Sequence, residues 1–242
     1  MGRRMRKYLY ILTVLGSLAL GSLASCDSGP VDETIAYVPQ EGRTVKVTGT
    51  FEGMDSWPGG YTVAVAGFSH ASEYAVVAKN IAVGNGEVQT IMSGVSEEVT
   101  EVEVCVIDRL RVRVATFAVV ENINELADDT IRLNVGTLDV GMFNTVQQSV
   151  FNANCIACHG MSNEAARGLY LTEGRSYDCL VDRQSSANPE YLLVNPGNSA
   201  ESFLHLVLHD DGYLSHGHTD ILSAKTELLN LIDDWIDNGA KQ

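Results

Sequence analysis

Two cysteines three residues apart, followed at once by a histidine, concentrate the chemistry of this chain in Cys155-Ile156-Ala157-Cys158-His159. At this spacing two thiols can add across neighbouring porphyrin vinyl groups as thioethers while the next imidazole turns beneath the iron. The motif predicts one covalent haem c attached through Cys155 and Cys158, with His159 as the proximal iron ligand. Two other chemistries use paired cysteines. A structural zinc site wants a second Cys/His pair at ligand spacing, and no other Cys-x-x-Cys occurs. A thioredoxin-like redox pair wants a βαβ setting, which the flanking residues do not suggest.

The N-terminus bears on the compartment. Arg3, Arg4, Arg6 and Lys7 precede an almost unbroken apolar run over residues 8–20, the pattern of a secretory signal too short to span a membrane comfortably. Leu23-Ala24-Ser25-Cys26 closes it and resembles the lipobox of bacterial lipoproteins, which implies cleavage before Cys26 and lipidation of its sulfur. The plainer alternative is an ordinary signal peptide cut near Ala24. Residues 1–25 are thus read as a signal peptide and 26–38 as a tether. The expected location is the cell envelope: exported and lipid-anchored, at the outer membrane, facing the periplasm or the surface.

Cleavage there would remove four of the 16 basic side chains and none of the 31 acidic ones, leaving a net charge of −19 with histidine neutral. So acidic a chain is not a nucleic-acid binder. It favours a redox partner with a basic docking surface, although solubility alone explains most acidic surfaces. Of five cysteines, Cys105 and Cys179 have no role yet. An oxidising compartment permits a disulfide between them; two free thiols are the alternative. Alternation in Val102-Glu103-Val104-Cys105-Val106 turns Cys105 toward the more polar side of its strand.

Two unlike halves must position the motif. Over residues 39–138, strand patterns recur at 43–51, 61–68, 74–83, 99–107, 111–120 and 130–135. Trp57-Pro58-Gly59-Gly60, Gly84-Asn85-Gly86 and Ser93-Gly94 read as turns between them. About seven short strands predict an immunoglobulin-like β-sandwich, a spacer or interaction module. Asp55, Trp57 and His70 are its candidate binding-loop residues, with turn and surface roles the alternative. Residues 139–242 switch to helical periodicity. Phe143, Val146, Val150 and Phe151 precede the cysteines, and Leu228, Leu229, Ile232, Trp235 and Ile236 form a second stripe, with Ser223 as its cap and Gly239 as its stop.

The second half resembles the single-haem cytochrome c domains of exported bacterial proteins. The matching segments are Ser149 to Cys155, Cys158-His159-Gly160, Gly168-Leu169-Tyr170-Leu171, Tyr177-Asp178-Cys179-Leu180-Val181, Val194-Asn195-Pro196-Gly197-Asn198-Ser199, Ser202-Phe203-Leu204 and Trp235 to Ala240. The resemblance covers a little under half the chain. It implies an all-α cytochrome c domain, a proximal role for His159 and a possible haem contact at Pro196. It also exposes a departure. Such domains usually carry a distal methionine before the last helix, but no methionine follows Met161 here, and Leu214-Ser215-His216-Gly217-His218-Thr219 occupies that region. His216 and His218 are therefore the distal iron candidates, with His205, His209, Met142 or an open position behind them. Imidazole in place of thioether predicts a low-spin haem of lowered potential.

The leading functional expectation is an exported lipoprotein that carries electrons on one covalent haem, with bis-histidine ligation and no catalytic residues. One alternative is a haem enzyme or ligand sensor with an open, peroxidase-like distal site. The other is a surface-binding β-sandwich protein with an accessory haem.

Overall fold

The computed structural model describes residues 42–82, 84–160 and 164–242. The signal segment, Cys26, the tether and Met161 lie outside these residues. Strand β1 (Arg43–Glu52) turns Val45, Val47 and Phe51 into the core by simple alternation. Further along come β2 (Thr62–Phe68), β3 (Val77–Asn80), β4 (Gly86–Val95), β5 (Glu101–Ile107), β6 (Arg113–Val120) and β7 (Thr130–Asp139). One sheet has the order β4-β1-β7, and the other β3-β2-β5-β6. All neighbouring pairs are antiparallel except β1 with β7, which runs parallel.

Alternation in β5 builds two layers. Val102, Val104 and Val106 join the core shared by both sheets. Cys105 and Ile107 face the other way, into a smaller cluster with Ala64, Ala66 and Phe68. That face was expected to be the polar one, yet Cys105 is fully buried. Glu103 on the same face is buried too. It accepts a hydrogen bond from Thr116 at 2.6 Å and pairs with Arg113 at 3.0 Å, whose guanidinium lies 4.1 Å over the Phe68 ring. Burial raises the Glu103 carboxyl above its ordinary value, opposed by the Thr116 bond and the Arg113 charge.

After β7 the chain turns through buried Val140 into α1 (Met142–Val146), a π-wound stretch (Gln147–Cys155) and α2 (Ile156–His159). Then follow α3 (Ser176–Leu180), α4 (Phe203–His209) and α5 (Thr226–Asp237). On α5, Leu228, Leu231, Ile232, Trp235 and Ile236 form one buried stripe at helical spacing. Trp235 packs on Phe143, which meets the edge of Tyr177. Lys225, not Ser223, precedes this helix, and the Ser223 hydroxyl bonds back to the Asp220 carbonyl. Gly239, at φ 92°, ends it.

Sheets and helices are stitched together across the expected boundary. Trp57 Nε1 donates to the Val140 carbonyl at 2.7 Å, and the Ser56 hydroxyl accepts from the Met142 amide at 2.7 Å. The Tyr61 hydroxyl donates to Asp234 at 2.7 Å. Burial, then that bond, pushes the Tyr61 phenol far above its ordinary value. One hydrophobic core runs from β1 to α5, and the described residues belong to one compact unit.

The expected architecture, an immunoglobulin-like sandwich followed by an all-α cytochrome c domain, is thereby corrected. The described chain is mostly sheet, its helices are short, and no large all-α domain is present among the described residues. The physical reason lies in residues 164–202, where Gly168, Gly174, Pro189, Pro196 and Gly197 break the chain into turns and leave room for one short α-helix, α3. Helices of four to seven residues bury too little to stand alone, so they pack on one another and on the 12-residue α5, which meets the sheets at β6.

Candidate functional site

A cavity of about 600 Å³ opens against the Cys155–His159 segment, within the roughly 300–1,000 Å³ usual for cofactor and ligand sites. Its walls are chiefly apolar, with Phe151, Leu180, Phe203, Val207 and Ile232 drawn from four separate helical segments. Cys155, Cys158, His159, His216 and His218 all line it, as do Cys179, Arg167 and Arg183.

The π winding that leads into the motif leaves carbonyls poorly matched to the helix ladder. The Asn154 side chain donates to the Ser149 and Val150 carbonyls at 3.0 and 3.1 Å, and Lys225 holds its oxygen at 3.1 Å. Cys155 is thus held on a braced turn, while Cys158 is exposed. Burial pushes the Cys155 thiol up to about 11, and Cys158 adds to the shift. A thioredoxin-type pair needs the opposite, a depressed thiol. Among the described residues, no third metal-binding side chain joins the two cysteines.

His159 is seated by its own neighbours. Its Nδ1 donates to the Leu169 carbonyl at 3.2 Å, and its carbonyl accepts from the Leu171 amide at 2.8 Å. The Leu169 carbonyl is aimed by a left-handed pair, Arg167 at φ 53° and Gly168 at φ 71°. Desolvation holds the imidazole below its ordinary value and so neutral, opposed by the bond to Leu169. Behind this loop, Gln147 is buried. It donates to the Leu171 carbonyl at 2.9 Å and to Asn152 at 2.7 Å, and it accepts from the Ser176 hydroxyl.

His218 faces His159, with ring centroids 6.5 Å apart and planes inclined by 37°. Its Nδ1 donates to the His216 carbonyl at 3.0 Å. A carbonyl only accepts, so Nδ1 carries the proton in both rings and Nε2 is the unprotonated nitrogen. Two imidazoles bound through nitrogen to opposite sides of one metal, at about 2.0–2.1 Å each, have centroids about 6 Å apart. The observed pair fits that span. His216 is exposed and supplies the carbonyl that orients its neighbour.

Asp211 holds the His218 loop. Its carboxylate accepts from the amides of His218 and Thr219 at 3.1 and 3.3 Å, and from the Thr219 hydroxyl at 2.9 Å. The bond from the Thr219 hydroxyl, then those from the amides, holds this carboxyl below its ordinary value. A Cβ on Gly217 would lie 2.6 Å from Asp211 Oδ1, so glycine is what lets the carboxylate close on the loop. The pattern reading missed Asp211. Its only signal is an acidic residue seven positions before a histidine, with glycine between.

The remaining candidates lie elsewhere. His205 and His209 turn away from the cavity toward Asp233, on the far side of α4 from Phe203 and Val207. Pro196 is not among the cavity-lining residues, and its turn is tied to α5 by the Gly197 amide donating to the Ile236 carbonyl. Met142 is buried in the shared core. Cys105 and Cys179 are both free thiols, one inside a sheet layer and one at the cavity, which removes the disulfide. Asp55 and Trp57 serve structure: Asp55 accepts from Asn85, and Trp57 bonds Val140. No family model, curated protein or solved structure matches this chain.

Proposed function

We propose that this protein is a covalent haem-binding electron carrier, with haem attached through Cys155 and Cys158 and ligated by His159 and His218. The observation that carries the reading is the facing pair of imidazoles, each with Nδ1 satisfied by a carbonyl, beside two cysteines in one apolar cavity. Bound there, haem would supply a one-electron Fe(III)/Fe(II) couple. The residues of the chain do the rest. The apolar walls exclude water. Arg167 and Arg183 are the lining cations suited to propionate carboxylates. The carbonyls of Leu169 and His216 fix both imidazoles in the ligating tautomer. Cys158 and Ala157 are exposed, so the attachment edge is open to a partner. The motif thus retains its likeness to haem-attachment sites while the scaffold departs from an all-α cytochrome.

The acidic balance favours a basic redox partner. Export and lipid anchoring at Cys26 belong to the same proposal and rest on the N-terminal pattern alone. The test is expression with haem-attachment machinery, followed by denaturing electrophoresis and optical and EPR spectroscopy. We expect haem to stay with the denatured chain and the ferric form to be low-spin. His218→Ala should turn it high-spin, and His216→Ala should not. Loss of haem on denaturation refutes the attachment. A high-spin wild type refutes the ligation and would assign His218 to acid/base work instead.

A further inference from the structure

His205 and His209 stand one turn apart on α4, four residues from each other, and so share one face of the helix. Their ring centroids are 4.1 Å apart. Asp233, from the facing turn of α5, reaches both: Oδ1 lies 2.8 Å from His205 Nδ1, and Oδ2 lies 3.3 Å from His209 Nε2. The candidate ligand atoms all fall within 4.8 Å of one another.

We infer that His205, His209 and Asp233 form a binding site for a divalent transition-metal ion of the zinc type. Tetrahedral ligands about 2.0–2.1 Å from zinc lie roughly 3.3 Å from each other, close to the two nitrogen–oxygen separations observed. Two imidazoles with one carboxylate form a borderline donor set that prefers zinc, copper, nickel or cobalt to calcium or magnesium. In the metal-free state His205 Nδ1 donates to Asp233 Oδ1, and His209 Nε2 lies 3.3 Å from Asp233 Oδ2. A metal takes the lone pair of an unprotonated ring nitrogen, so each neutral imidazole carries its one proton on its other nitrogen when the ion is bound, and a water completes the fourth position. The three side chains are partly exposed, at 23%, 40% and 22%, so an ion can enter without unfolding the pair of helices.

The site is separate from the haem proposal and does not depend on it. It lies on the outer face of α4, whose inner face supplies Phe203, Leu204, Val207 and Leu208 to the cavity wall. Across the short helix, a bound ion would pin that wall to α5.

The test is calorimetric titration of the full purified chain with zinc chloride in millimolar magnesium, with zinc-edge X-ray absorption on the loaded protein. We expect one zinc per chain and a first shell of two imidazole nitrogens with oxygen at about 2.0–2.1 Å. His205→Ala/His209→Ala should abolish binding, and the conservative Asp233→Asn should weaken it at least roughly tenfold. His218→Ala should leave it unchanged. Retained one-to-one binding in the double variant overturns the assignment, as does binding lost only with His218. So does a wild type that takes no zinc in the presence of magnesium. None of these outcomes bears on covalent haem.

Discussion

Gln147 offers the sharpest test of how the site is built. Its buried amide ties the π-wound stretch to the Leu171 loop and to Ser176 on α3. Gln147→Ala strips both ties. It leaves two buried groups, the Leu171 carbonyl and the Ser176 hydroxyl, without this partner, each at about 1–3 kcal/mol. Asn152 suffers less, because it already donates to Gln148 at 2.8 Å. The expected destabilisation is about 2–6 kcal/mol, read as a fall of the urea midpoint by roughly 1–3 M at a slope of about 2 kcal/mol/M. Ser176→Ala orphans one buried group, the Gln147 Oε1 oxygen, and should cost about 1–3 kcal/mol, less than Gln147→Ala, which orphans two. Because the Leu171 amide also donates to the His159 carbonyl, Gln147→Ala should in addition loosen the His159 seat. In the haem-loaded protein this would appear as broadened low-spin EPR features. A Gln147→Ala cost below about 0.5 kcal/mol, or one equal to that of Ser176→Ala, refutes the reasoning, since each buried orphan group alone costs about 1–3 kcal/mol.

Other outcomes follow from the same geometry. Glu103 has a raised folded-state carboxyl value, so the folded chain holds that proton more tightly than the unfolded chain. Its contribution to stability is full below the unfolded value of about 4.3. It is lost as pH rises through the folded value. Denaturant titrations from pH 4 to 8 should therefore show a falling increment in wild type that Glu103→Gln lacks, and a pH-independent offset between the two would contradict this. At Asp211, substitution by Ala should free the His218 loop. Gly217→Ala should act the same way, because its Cβ occupies the carboxylate's place. Both should yield mixed-spin spectra in the haem-loaded protein that resemble His218→Ala; purely low-spin spectra would show that the anchor is dispensable.

Alternation exposed six of the seven strands. It missed β4 because Ser93-Gly94 reads as a turn, whereas Gly94, at φ 76°, sits in a bulge opposite residues 43–45. Alternation also misplaced Cys105 and Glu103, for it sees one buried face and β5 has two. The helical stripe of α5 was legible because Leu228, Ile232, Trp235 and Ile236 keep a strict 3.6 period. The stripe before the cysteines suggested an ordinary helix, although residues 147–155 wind as π.

What the sequence determined by itself is the local chemistry. Five contiguous residues hold Cys155, Cys158 and His159 at one fixed spacing, and no tertiary contact is needed to read it. Only the tertiary structure decided which distant side chain faces His159. His216 and His218 differ by two positions, and no pattern separates them. The choice falls to Asp211, which closes on Gly217 and leaves His218 facing the cavity. The same holds for His205 and His209. Their spacing put both on one helix face, but only the packing of α4 on α5 turned that face to Asp233. Periodicity assigns a residue to a face of its own element; which element meets that face is set by contacts between residues far apart in the chain.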